Sequence, residues 1–147
     1  MCIKYKLLNF VFVLLCINLV FTLQAFPQDN QSSNSKPAPK ELKMDRAIMC
    51  EEIKDLVPQN PAVVFSIKIG KVSCFTSFDP VPEKTFIYHN WFHRDDPSTK
   101  KRLTLQPPRW ATYSTIQLRE TDKGPWRVEI SDQQGNILGI LRFSITD

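Results

Sequence analysis

A chain of 147 residues has room for one ordinary domain, and its first quarter differs so much from the rest that the foldable part is about 100 residues. The formal charge of +4 falls by two if Lys4 and Lys6 leave with a targeting segment, because the first 25 residues hold no Asp or Glu. A remaining charge near +2, dispersed among acids, excludes a nucleic-acid footprint, and the lone basic run Lys100-Lys101-Arg102 reads as a solvated edge.

Residues 1–6 carry two lysines, Leu7 to Leu23 form an apolar run broken only by Asn9, Cys16, Asn18 and Thr22, and Gln24-Ala25 offers a small residue for a peptidase. This three-part layout predicts a secretory signal over residues 1–25. The rival reading is an uncleaved anchor: residues 7–23 are just long enough to span a bilayer of about 30 Å at about 1.5 Å per residue. Cys16 follows Leu15 rather than a small residue, so it does not read as a lipidation site. Either way the domain is expected outside the cytosol, in the periplasm or secreted, or else held to the inner membrane by residues 7–23. Residues 26–46 contain too little apolar surface to fold and are expected to be a disordered polar and proline-rich tether.

From residue 47 to the end, short runs rich in Val, Ile, Phe, Tyr, Trp and Thr are each closed by Pro, Gly, Asn or Asp, which predicts strands. They are expected at 47–53, 63–69, 71–78, 85–93, 102–105, 111–118, 126–131 and 137–145. Phe65, Ile67 and Ile69 alternate with polar neighbours, as do Trp126, Val128 and Ile130, so Phe65, Ile67, Trp126, Val128 and Phe143 are expected in the core. Between the last two strands, Asp132-Gln133-Gln134-Gly135-Asn136 predicts a hairpin loop with its glycine at a positive φ. Seven or eight strands in about 100 residues favour an all-β, antiparallel two-sheet sandwich of immunoglobulin-like build over a closed barrel.

Removal of a signal would leave Cys50 and Cys74 as the sole thiols of an oxidising compartment, so a disulfide between them is expected, the alternative being two buried free thiols. Closing that loop would stabilise the domain by roughly 3 kcal/mol. Two thiols cannot complete a zinc site, and His89 and His93, four apart on a strand, stand about 13 Å from each other; neither a metal nor a cofactor is expected.

On the strand 85–93, His89 and Trp91 point to one side with Ile87 and His93, while Phe86, Tyr88 and Phe92 point to the other. The strand is therefore either covered on both faces or presents an aromatic platform. His89 reads either as a histidine hydrogen-bonded inside a core beside Trp91, or as part of a pocket formed by His89, Trp91, Arg109 and Trp110. Flat rings with a planar cation would suit sugars, carboxylates or a peptide strand.

The runs Cys74-Phe75-Thr76, His89-Asn90-Trp91-Phe92, Arg109-Trp110 with Tyr113-Ser114, and Gly124-Pro125-Trp126-Arg127-Val128-Glu129 with Gly135 and Phe143 resemble a bacterial family, domain of unknown function 2914. The similarity covers roughly residues 85–145, with 50–76 as a lead-in. It departs at Ala111, where the family pattern tends to carry a further arginine, which weakens any anion site built on two arginines. The resemblance implies an exported or membrane-tethered β domain, found alone or appended to other modules, and carries no known activity to transfer.

No nucleophile stands beside a base, no metalloprotease or serine-hydrolase motif is present, and four glycines form no phosphate loop; Asp95 and Asp96 read as turn formers before Pro97. The expected function is that of an exported, non-catalytic binding module recognising an envelope protein or glycan, and not nucleic acid. A structural accessory domain docking through a free edge strand is the alternative, and a hydrolase a remote one.

Overall fold

The computed structural model describes residues 41–147. The expected signal, 1–25, and most of the expected tether, 26–46, lie outside them. Nine strands follow in order: β1 (Met44–Lys54), β2 (Val57–Pro61), β3 (Val64–Ser66), β4 (Lys71–Phe78), β5 (Thr85–His93), β6 (Asp96–Leu105), β7 (Trp110–Gln117), β8 (Gly124–Ser131) and β9 (Ile137–Thr146). They form a four-stranded sheet, β2-β1-β4-β7, and a five-stranded sheet, β3-β9-β8-β5-β6, the all-β sandwich that the strand spacing predicts. One pairing departs from an antiparallel scheme. The chain crosses from one sheet to the other after β2, and β3 forms an edge of the second sheet, parallel to β9.

Local chemistry accounts for the other departures. The expected strand 63–69 stops at Ser66, whose hydroxyl accepts the Lys68 backbone N–H at 3.2 Å and starts a 3-10 turn, Ile67–Ile69, closed by Gly70 at φ 72°. Ile67, expected inside a strand, is thus half-buried against the core from that turn. Two hairpins turn without glycine, at Asp55-Leu56 (φ 49° and 58°) and Arg94-Asp95 (φ 51° and 71°), the double left-handed pair of a type I′ loop. The first adds β2, which the sequence pattern does not reveal; the second extends the strand expected at 102–105 back to Asp96. Gly135, at φ 91°, turns the last hairpin as expected, and Asp132 Oδ1 accepts the backbone N–H groups of Gln134 and Asn136. Met44 opens β1 earlier than expected, taking residues 44–46 from the tether, because its side chain packs over Gly139 on β9.

The core between the sheets has two neighbouring parts. One gathers Met49, Phe65, Val72, Cys74, Trp91, Trp126, Val128, Phe143 and Ile145; the other gathers Phe78, Val81, Ile87, Leu105 and Ile130. Phe65, Trp126, Val128 and Phe143 occupy the core positions expected of them.

The expected disulfide is absent: Cys50 and Cys74 are free, buried thiols. Directly opposed residues of an antiparallel pair share a face. Cys74 opposes Met49 and faces the core with it, whereas Cys50 opposes Ser73 on the outer face of the same sheet, where its thiol lies 3.7 Å from the Ser73 carbonyl oxygen. Their Cβ vectors diverge, and a bridge requires that they converge. Burial raises the pKa of both thiols, keeping them protonated.

Candidate binding surface

The inward side of β5 carries Ile87, His89 and Trp91, all buried. His89 Nε2 lies 3.2 Å from Thr76 Oγ1 on β4 and its Nδ1 lies 2.8 Å from Ser114 Oγ on β7, while the Trp91 indole N–H donates to the same Ser114 oxygen at 3.1 Å. One arrangement satisfies every atom: Ser114 accepts from Trp91 and donates to His89 Nδ1, leaving the imidazole proton on Nε2 to donate to Thr76. Burial pushes the imidazole pKa down to about 4, so the ring is neutral at physiological pH. His89 and Trp91 are therefore a polar pin between the sheets. Of the two readings of His89, the structure has the histidine hydrogen-bonded inside a core beside Trp91, and neither residue reaches solvent to line a pocket.

Arg109 and Trp110 remain exposed, Trp110 at 38%. They stand where β7 begins, opposite Phe78, beside a hollow of about 340 Å3 whose walls include Asp45, Ser77, Asp79 and Ala111. One arginine faces two carboxylates there, so the hollow has no net attraction for an anion. Arg109 and Trp110 do not join His89 and Trp91 in one site.

The outward side of β5, which holds none of the candidate residues, carries three cation-covered rings. Arg102 lies 3.9 Å over the Phe86 ring, Lys100 lies 3.9 Å over Tyr88, and Arg127 lies 4.0 Å over Phe92. Strand alternation produces this. Tyr88 opposes Arg102 on β6 and Asn90 opposes Lys100, so both cations rise on the same face as the aromatic row, while Phe92 opposes Arg127 on β8. Arg127 is held further by Asp95 and by Glu129 at 2.9 Å. Among the described residues, Lys100 and Arg102 have no carboxylate within ion-pair distance. Their signal was present in the sequence as the run 100–102 and the alternation of 86–92, but nothing local told which two strands meet.

Among the described residues no group of three or more His, Cys, Asp or Glu is placed to hold a metal, and no helix is long and apolar enough to cross a membrane. The strands β5 to β8 and nearly all of β9 fall within a stretch that matches a family model. Residues 84–145 match the family described as protein of unknown function DUF2914. The matched stretch begins and ends within a residue of the range that the resemblance gave, and holds three members of the pin, His89, Trp91 and Ser114. An immunoglobulin-like protein from Pseudomonas aeruginosa, solved by crystallography, superposes with a TM-score of 0.52 at 12% identity, over 74% of this chain and 99% of that one. At that identity the likeness shows an immunoglobulin-like fold and nothing of function. No curated protein matches the chain.

Proposed function

We propose that the chain is an exported, non-catalytic module of a bacterial envelope that binds its partner through the outer face of the five-stranded sheet. The observation that carries this reading is the row of aromatic rings on β5, each covered by a cation, with Lys100 and Arg102 left without acidic partners among the described residues. Side chains held flat on rings lose rotamer freedom before any ligand arrives, which lowers the ordering cost of binding. Export rests on the charged start, apolar run and small residue of positions 1–25.

The test compares the full chain with its Lys100→Glu/Arg102→Glu variant in capture from envelope extract, after circular dichroism has shown both folded. The wild-type chain is expected to retain envelope material that the variant loses; equal capture by both would remove the face from the reading. Export is checked on the same material, since a mature chain starting after Ala25 should appear outside the cytosol.

The alternative of a structural accessory domain is favoured by one feature. The free edge β7 exposes Trp110 and Tyr113, the latter at 44%. Loss of capture in Trp110→Ala/Tyr113→Ala, with the Lys100/Arg102 variant unaffected, would select docking through that edge.

A further inference from the structure

The free edge β6 carries Lys100, Lys101 and Arg102 in succession, and strand alternation sends them to different sides. Lys100 and Arg102 lie on the outer face over Tyr88 and Phe86. Lys101 opposes His89 and turns inward, but at the edge of the sandwich it meets an opening rather than the core. There β6 and β7 come together across the two sheets and leave a cleft of about 360 Å3. Lys101 and Arg119 stand on its walls with Ser98, Thr99 and Gln117, and Trp126 lies in its floor. The acid of the cleft, Asp122, accepts the Arg119 backbone N–H at 2.7 Å, and neither Lys101 nor Arg119 forms an ion pair among the described residues.

We infer that edge strand β6 is straddled by a linear acidic polysaccharide, with carboxylates meeting Lys100 and Arg102 outside and Lys101 and Arg119 in the cleft. This assignment rests on the reading of the chain as an envelope-binding module and names the ligand of that module. Cations on both sides of one strand match a chain of repeated charges better than a single small anion, which would need only one side. The rings beneath Lys100 and Arg102 are already covered, so they offer no open platform for nucleic-acid bases, and charge is what the face presents. Hydroxyl and amide groups of Ser98, Thr99 and Gln117 lining the cleft suit sugar hydroxyls.

The probe is polygalacturonate, with neutral dextran and single-stranded DNA as comparisons, measured against the full chain by affinity electrophoresis at rising salt. Polygalacturonate is expected to retard the chain, dextran not at all and DNA far less, and the retardation is expected to fade with salt. Lys100→Glu/Arg102→Glu and Lys101→Glu/Arg119→Glu should each weaken retardation about tenfold or more, a step of about 1.4 kcal/mol. Arg109→Glu, a charge reversal at the other end of the fold, should leave it unchanged. Equal retardation by DNA, or an equal loss with Arg109→Glu, would show attraction by net charge alone and overturn the assignment. Indifference to Lys101→Glu/Arg119→Glu would overturn the straddling geometry. If polygalacturonate is ignored while Lys100→Glu/Arg102→Glu still abolishes envelope capture, the acidic glycan is refuted and the binding face stands; if capture also survives, both are refuted.

Discussion

Ser114 serves two neighbours at once, and the stability of the sandwich should report it through pH. In the folded chain His89 is neutral, wedged between Ser114 and Thr76, and burial pushes its pKa down to about 4 against 6.5 for a free imidazole. As the pH falls, the unfolded chain takes up the proton first, so unfolding becomes more favourable between about 6.5 and about 4 and the loss stops below that window. Stability contributed by the neutral ring is thus complete above pH 6.5, and about 3 kcal/mol is lost across the window, at about 1.4 kcal/mol per pH unit. Urea unfolding at pH 7 and pH 4.5 should show a drop in the wild-type chain that is much smaller in His89→Gln, which retains hydrogen-bonding capacity without the titration. Equal drops in the two chains would mean that the imidazole is accessible in the folded state and the pin is not closed.

Among the elements, two tryptophans at strand entrances separate core from surface. Trp126, at the start of β8, is 5% exposed, stacks on His93 at 4.5 Å and on Phe143 at 6.0 Å, and donates its indole N–H to the Asp122 carbonyl at 2.7 Å. Trp126→Ala should cost about 3–5 kcal/mol, a large part of the about 5–15 kcal/mol available to a small domain, whereas Trp110→Ala should cost about 1 kcal/mol or less. Thermal melts of the two variants check this, and equal shifts would place Trp110 in the core. Strands β1 and β4 give a second test, because their register sets Cys50 and Cys74 on opposite faces. Unreduced chain unfolded in guanidinium should alkylate at both cysteines, and native chain at neither; peptide mapping that recovers them linked would require a different register. The alternation of 126–130 made Trp126 legible as core from the sequence, since period two fixes a face without knowledge of the partner strand. The registers of β1 on β4 and of β5 on β6 were not legible, because pairing is set by contacts between distant segments. For that reason the disulfide was expected and the cation-covered rings were not. The hairpins at 55–56 and 94–95 escaped because Asp, Leu and Arg adopt there the left-handed conformation that a glycine would have announced.

At the scale of the molecule, the family match and the folding unit are different objects. Residues 84–145 supply β5, β6, β8, most of β9 and the single strand β7. In the fold, β7 pairs with β4 alone, and β4 in turn pairs with β1, so the four-stranded sheet consists chiefly of strands before residue 84. Those strands cover one side of the core through Met49, Val72, Cys74 and Phe78, and Thr76 holds one end of the His89 pin. Cutting the chain at residue 84 would strip β7 of its ladder, uncover Trp91, Val128 and Ile130, and leave the His89 Nε2–H without its acceptor. A fragment of residues 84–147 is therefore expected to be unfolded or aggregated, with no near-ultraviolet dichroism and no cooperative melt. A fragment of residues 41–147, which keeps β1 and the contact of Met44 with Gly139, should melt in a single transition. A cooperative melt of the shorter fragment would show that the matched segment folds without the first sheet, and would reduce the pin between the sheets to a contact between two separable parts.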